Sequence, residues 1–326
     1  MKHPPYHLRP NKAVDRFLLI EVLRLLGREC DFRNYTYYGF GGPFLEDCRL
    51  INEFFPDMRL VSIEQDENTF RRQKFHKFTK KLVLKDDDFS NFLGEFSSTG
   101  KEVFWLDYTS LRLEWLNEFG AVLNAAGNGT VVKITLSAEW RTNPYSIKGY
   151  LTQDEFETKL AVYRTKFKNV FGKYLPQDLE DSDFKNSAFP KLLQSVIQLA
   201  AQEALPAASG NIFQVINTAW YSDGTAMLSV TGIVCSLAEA NRYRMCFEGW
   251  TFSNLDWQKP KKIQLPVLSN KERLLLEKHL PVRKNTGKSL ARTLGYLIDR
   301  SECNIESLQQ YAAFYRYYPN YAKVTP

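Results

Sequence analysis

Three glycines and four acids carry the chemistry that can be read from this sequence. Gly39-Phe40-Gly41-Gly42 follows a β-rich run, Asn34 to Tyr38, and leads into a helical pattern from about Pro43 to Phe55. Glycines there let the backbone approach a ligand closely, and the N–H groups of a helix start favour negative charge. Glu64 ends the next apolar run, 22 residues past Gly42. A carboxylate at that place can accept both hydroxyls of a ribose. Alone, the glycine run reads equally as a tight turn; with Glu64 it points to a nucleotide-type ligand. Leu82-Val83-Leu84 leads into Asp86-Asp87-Asp88-Phe89, and Val103 to Leu106 leads into Asp107-Tyr108-Thr109. Asp87 and Asp88 read either as ligand contacts or as a solvated loop and helix cap. Asp107 sits where an apolar strand opens onto a binding edge, and it could orient an acceptor group or take its proton. The other reading of Asp107 is a cap for a helix starting near Ser110.

Such residues need a sheet to bring them together. Arg59–Ile63, Leu82–Leu84, Glu102–Leu106 and Thr130–Leu136 read as strands, with helical patterns over Asn68–His76 and Leu111–Ala126. Strands alternating with helices imply a parallel sheet covered on both faces. A helix over Asn11–Gly27 precedes them. Residues 145–209 break the rhythm with helices over Thr152–Phe171 and Phe189–Ala204, which read as an insertion near the open end of the sheet. Asn211–Tyr221 and Ala226–Cys235 flank a Ser222-Asp223-Gly224 turn and read as an antiparallel hairpin. The expected organisation is an α/β domain over residues 1–256 and a basic helical extension over 257–326.

Composition narrows the classes. The chain has 326 residues, 25% charged and 44% hydrophobic, which excludes wholesale disorder and collagen-like repeats. No apolar run is long enough to span a bilayer, and Met1-Lys2-His3-Pro4-Pro5 does not read as a secretory leader. Five widely spaced cysteines and four scattered histidines suggest neither a disulfide framework nor a zinc site, so no metal is expected and a cytoplasmic location is. The net charge of +6 is uneven. Residues 257–326 hold 13 basic against five acidic side chains, leaving 30 basic against 32 acidic ones before them.

The order of these motifs resembles that of the class I S-adenosylmethionine-dependent methyltransferases over about residues 30–235. The third glycine of the nicotinamide fingerprint G-x-G-x-x-G is missing: three residues after Gly42 stands Leu45. The resemblance implies a Rossmann-like, mostly parallel seven-stranded sheet with its last strand antiparallel, and S-adenosylmethionine as cofactor. It gives Gly39, Gly41 and Gly42 to the methionine part, Glu64 to the ribose, Asp87 or Asp88 to the adenine with Phe89 covering the ring, and Asp107 and Tyr108 to the transfer centre. The chain departs from the family by carrying Tyr37 two residues before the first glycine, where an acid is common; Asp47 or the N-terminal loop is expected to replace it. Leu106-Asp107-Tyr108-Thr109 lacks the prolines of the amino-methyltransferase D-P-P-Y motif, which argues against transfer to an exocyclic base nitrogen.

Three further residues read as acceptor contacts: Arg9 and Lys12 in a polar segment before the first helix, and Trp140 after the fifth strand. An exposed leader capped by Asn11, and a plain exit loop, are the competing readings. The basic extension could meet a nucleic acid or a protein partner. Its aromatic stripe at Tyr311, Phe314, Tyr315 and Tyr318 reads first as helix packing. The expected activity is methyl transfer to an oxygen or nitrogen of an unidentified substrate. A catalytically weak binding module of the same fold is the alternative, and a nicotinamide-dependent oxidoreductase the third.

Overall fold

The computed structural model describes residues 9–139, 153–184, 188–281, 286–298 and 304–319. The chain divides into two compact units, one of residues 19–220 and 225–261, the other of residues 1–18, 221–224 and 262–326.

The first of these holds most of the sheet. Helix α1 (Pro10–Leu26) is followed by β1 (Thr36–Gly39), α2 (Glu46–Phe54), β2 (Arg59–Glu64), α3 (Glu67–His76), β3 (Leu82–Asp86), α4 (Phe89–Gly94), β4 (Glu102–Asp107), α5 (Leu113–Ala125) and β5 (Val131–Ser137). Then come α6 (Gln153–Phe171), α7 (Phe189–Ala204), β6 (Asn211–Ser222), β7 (Ala226–Ser236), α8 (Ala240–Met245) and β8 (Lys261–Ile263). Among the described residues the sheet has eight strands in the order β3-β2-β1-β4-β5-β7-β6-β8. β1 to β5 pair in parallel, and β7 pairs antiparallel with β5. This is the expected mostly parallel α/β sheet with a closing antiparallel hairpin, extended by the three-residue β8.

The burial pattern follows from the topology. Every residue of β5 is buried, and so are the first five of β4, as central parallel strands covered on both faces must be. β3, at one edge, buries only Leu82. One face of the sheet is packed by Leu116, Phe119, Val122 and Leu123 of α5 and by Leu193, Val196, Ile197 and Ala200 of α7. Tyr163, Phe167 and Phe171 of α6 close on Phe184 and Phe189 in the same core. The stretch read as an insertion therefore supplies part of the main apolar core, because its helices carry an aromatic face that pays back burial only against the sheet layer.

In the other unit, α9 (Asn270–Glu277), α10 (Thr286–Leu294) and α11 (Asn304–Phe314) pack together. Ser269 and Glu272 form the expected capping box. Of the aromatic stripe, Tyr311, Phe314 and Tyr318 are buried and Tyr315 is half-buried. The Tyr318 hydroxyl accepts the Leu268 N–H at 3.1 Å and donates to the Pro266 carbonyl at 3.0 Å. Asn11 is not a helix cap, since α1 already begins at Pro10; its amide donates to Asp223 at 2.8 Å and its carbonyl accepts the Leu265 N–H at 2.9 Å. Among the described residues no helix is long and apolar enough to cross a membrane.

Candidate active site

The register of the parallel strands gathers the sequence-predicted acids on one edge. Gly39 of β1 lies beside Ser62 of β2 and Trp105 of β4, Glu64 beside Asp86, and Asp107 beside Thr135. Gly39, Glu64, Asp86 and Asp107 are the last residues of their strands. The chain leaves β1 toward β2 and β3 on one side and returns as β4 and β5 on the other. The crevice above β1 and β4 is thus the topological switch point, where open α/β sheets bind ligands. A cavity of about 220 Å³ opens there, lined by Phe40, Glu64, Asp87, Asp88, Phe89, Asp107, Tyr108, Trp115 and Glu118 among others.

The glycine turn is built differently from the sequence expectation. Residues 42–45 form a turn and α2 begins only at Glu46, so Pro43 precedes the helix instead of opening it. Leu45, in the left-handed region at φ 57°, makes the bend into α2. Gly41 has φ +66°, and a Cβ there would come within 2.5 Å of the Ser62 hydroxyl. Gly42 also has positive φ, +55°, but faces open space. Tyr37, at the position where the family commonly has an acid, is buried, with its hydroxyl 2.7 Å from where a Gly39 Cβ would stand. Asp47 is buried on the first turn of α2.

Each acid of the edge has a distinct setting. Glu64 is half-buried and accepts the Asp66 N–H at 2.8 Å; burial outweighs that bond and pushes its carboxyl above the ordinary carboxylate range. Asp88 caps α4 by accepting the Ser90 N–H at 2.9 Å, and it also lines the cavity. Asp87 lies beside it, with Asn91 Nδ2 at 3.5 Å. Phe89 is buried and meets Phe40 edge-on at 5.5 Å between ring centres. Asp107 does not cap a helix: α5 starts at Leu113, after Arg112. The Tyr108 N–H is held by the Thr135 carbonyl at 3.0 Å, which keeps the turn after β4 against β5.

Two cavity residues escaped the sequence reading. Glu118, on α5, accepts the Tyr108 hydroxyl and, at 2.9 Å, the Ser90 hydroxyl. Burial raises its carboxyl and drives the Tyr108 phenol far above its ordinary value. Trp115 stacks on Tyr108 at 4.5 Å with the rings 8° apart, and its indole N–H donates to Ser110 at 3.0 Å. The signal was present as the i, i+3 spacing of Trp115 and Glu118 on one helix face, but that face reads as amphipathic surface until β4 is placed beside it.

Arg9 and Lys12 belong to the other unit, where Lys12 is buried and its N–H donates to Asp223 at 2.8 Å. Trp140 lies outside the described residues. No group of metal-ligating side chains occurs among the described residues.

The chain is similar in fold to a 16S rRNA (adenine(1408)-N(1))-methyltransferase from Catenulisporales acidiphilia, at 9% identity and a TM-score of 0.36, covering 67% of this chain and 92% of that one. It is similar to the plantazolicin methyltransferase BpumL, solved with SAH, at 14% identity and a TM-score of 0.34, covering 68% of this chain and 84% of that one. An O-methyltransferase family protein from Burkholderia thailandensis matches at 13% identity and a TM-score of 0.32, covering 70% of this chain and 59% of that one. No curated protein matches. The profile of a family described as "Putative O-methyltransferase" matches residues 4–326, nearly the whole chain. The chain belongs to that O-methyltransferase family.

Proposed function

We propose that this protein is an S-adenosylmethionine-dependent methyltransferase whose cofactor lies in the carboxyl-edge cavity and whose acceptor atom is an oxygen. The observation that carries the reading is that Phe40, Glu64, Asp88 and Asp107, at or just after the ends of β1 to β4, line one cavity of about 220 Å³. The residues fit the cofactor. Gly41 lies in the turn next to Phe40, which lines the cavity, and packs too closely on Ser62 and Leu45 for any side chain. Glu64 offers acceptor lone pairs to a ribose, Asp87 or Asp88 an acceptor to an exocyclic amine, and Phe40 and Phe89 apolar ring surface to a base. The family to which the chain belongs supports oxygen as the acceptor.

When bound, S-adenosylmethionine supplies an electrophilic methyl group on a positively charged sulfur. The chain's own part is positioning and charge. Glu64, Asp87, Asp88, Asp107 and Glu118 make the cavity wall anionic, which favours a cationic ligand over its neutral product. Asp107, at the end of β4, orients the acceptor hydroxyl and takes up the proton that the oxygen loses. Tyr108 is held against Trp115 and packs the wall beside it. Much of the acceleration then comes from holding the acceptor in line. A cytoplasmic location fits the four described cysteines, all buried and free.

Calorimetric titration with S-adenosylmethionine, S-adenosylhomocysteine and NAD tests the reading. Both methionine-derived ligands are expected to bind the wild type and NAD is not, and Glu64→Ala is expected to weaken binding by about tenfold or more. A wild type that binds neither methionine-derived ligand overturns it.

A further inference from the structure

The glycine turn is held from beneath by a buried amide that the cavity does not touch. Gln73 of α3 is completely buried, in a helix whose neighbouring positions Arg71, Arg72 and Lys74 are exposed. Its Nε2 donates to the carbonyl of Phe40 at 2.9 Å and to that of Gly42 at 3.1 Å. Its Oε1 lies 3.0 Å from the hydroxyl of Ser62, which is also fully buried and stands 3.1 Å from the Phe40 carbonyl. The amide nitrogen, and not its oxygen, faces the two carbonyls, since an oxygen there would meet only acceptors; the Phe40 carbonyl also accepts the Gly42 N–H at 2.8 Å. Ser62 in turn is the side chain that excludes a Cβ from Gly41.

We infer that Gln73, braced by Ser62, is the positioning residue of the Gly39–Gly42 turn and sets its affinity for the methionine half of the cofactor. The peptide plane fixes the consequence. In a trans peptide the carbonyl of Phe40 and the N–H of Gly41 point in opposite directions. Holding that carbonyl inward on Gln73 therefore turns the Gly41 N–H to the other side of the turn. The next carbonyl held, that of Gly42, precedes Pro43, which has no N–H to offer. One amide side chain thus selects which backbone donor the turn presents. Glycines at 41 and 42 have many other conformations open to them; the Gly42 N–H to Phe40 carbonyl bond closes the turn locally, and Gln73 and Ser62 add the hold from outside it.

The inference rests on the cofactor reading above, and the test separates the two. Wild type, Gln73→Glu and Ser62→Ala are titrated with S-adenosylhomocysteine and with 5′-methylthioadenosine, which lacks the amino acid part. Gln73→Glu keeps the shape and removes the donor. It is expected to weaken S-adenosylhomocysteine by about tenfold and methylthioadenosine by less than about twofold, because Glu64 and Asp88 are untouched. Ser62→Ala is expected to show the same selectivity at about threefold. Equal loss for both ligands, or none for either, overturns the positioning role. If Gln73→Glu does not fold, Ser62→Ala decides by the same criterion. Failure of the wild type to bind S-adenosylhomocysteine would instead overturn the cofactor reading.

Discussion

The phenol of Tyr108 donates its proton to the carboxylate of Glu118, joining the turn after β4 to the middle of α5 across the wall of the cavity. Ser90, at the start of α4, donates to the same carboxylate from the other side. One acid thereby ties three segments that the chain delivers separately.

That acid leaves a signature in the pH dependence of stability. Burial raises the Glu118 carboxyl above its ordinary value of 4.5. Between 4.5 and the raised value the native state holds more protons than the unfolded chain, so stability falls as pH rises through that window. Glu64 is raised for the same reason and adds to the slope. Urea unfolding of Glu118→Gln at several pH values should give a flatter profile than the wild type. An unchanged slope would exclude Glu118 as its source.

The two left-handed glycines should differ in what they tolerate. Gly41→Ala meets both the positive φ of +66° and the Ser62 hydroxyl at 2.5 Å, whereas Gly42→Ala meets only a φ of +55° in open space. Gly42→Ala should cost about 1 kcal/mol. Gly41→Ala should cost about 2–4 kcal/mol, with loss of cofactor binding. Denaturant midpoints rank them, and a reversed order would contradict the geometry.

Glu102, at the opposite end of β4 from Asp107, should matter for stability and leave binding alone. It is buried, yet its carboxyl lies below the ordinary 4.5, because burial is outweighed by donors from the Thr99 N–H, Ser98, Thr130 and Thr99 hydroxyls. A lowered acid stabilises the fold above its ordinary pKa and loses that contribution as pH falls through its folded value. Glu102→Gln should cost about 2–3 kcal/mol at neutral pH and be nearly silent in S-adenosylhomocysteine titration. Weakened ligand binding in a folded variant would count against the separation of the two edges.

In the helical unit, Tyr318→Phe keeps the ring and removes a hydroxyl that bridges Leu268 N–H and the Pro266 carbonyl. Leaving both buried backbone groups without that partner should cost about 1–3 kcal/mol, read as a lower thermal midpoint. Arg316→Ala, on the exposed face nearby, should change it by less than about 0.5 kcal/mol.

Strand periodicity and strand ends are local properties, so the sequence alone determined the alternating α/β pattern, the hairpin at Asp223-Gly224 and the carboxylates at Glu64 and Asp107. Parallel pairing then had to bring those ends to one edge, because every parallel strand points the same way. What local pattern could not decide is which helix face looks where. Gln73 reads as one more polar residue among Arg71, Arg72 and Lys74, and Glu118 as one more acid on α5. The burial of Gln73 beneath the glycine turn depends on α3 crossing back beside β2, and the bond of Glu118 to Tyr108 on α5 lying against the end of β4. Both are contacts between segments distant enough in sequence that only the packed sheet sets their separation. The turn before α2, which starts at Glu46 instead of Pro43, likewise has its Phe40 and Gly42 carbonyls bound by side chains of other elements, Ser62 and Gln73.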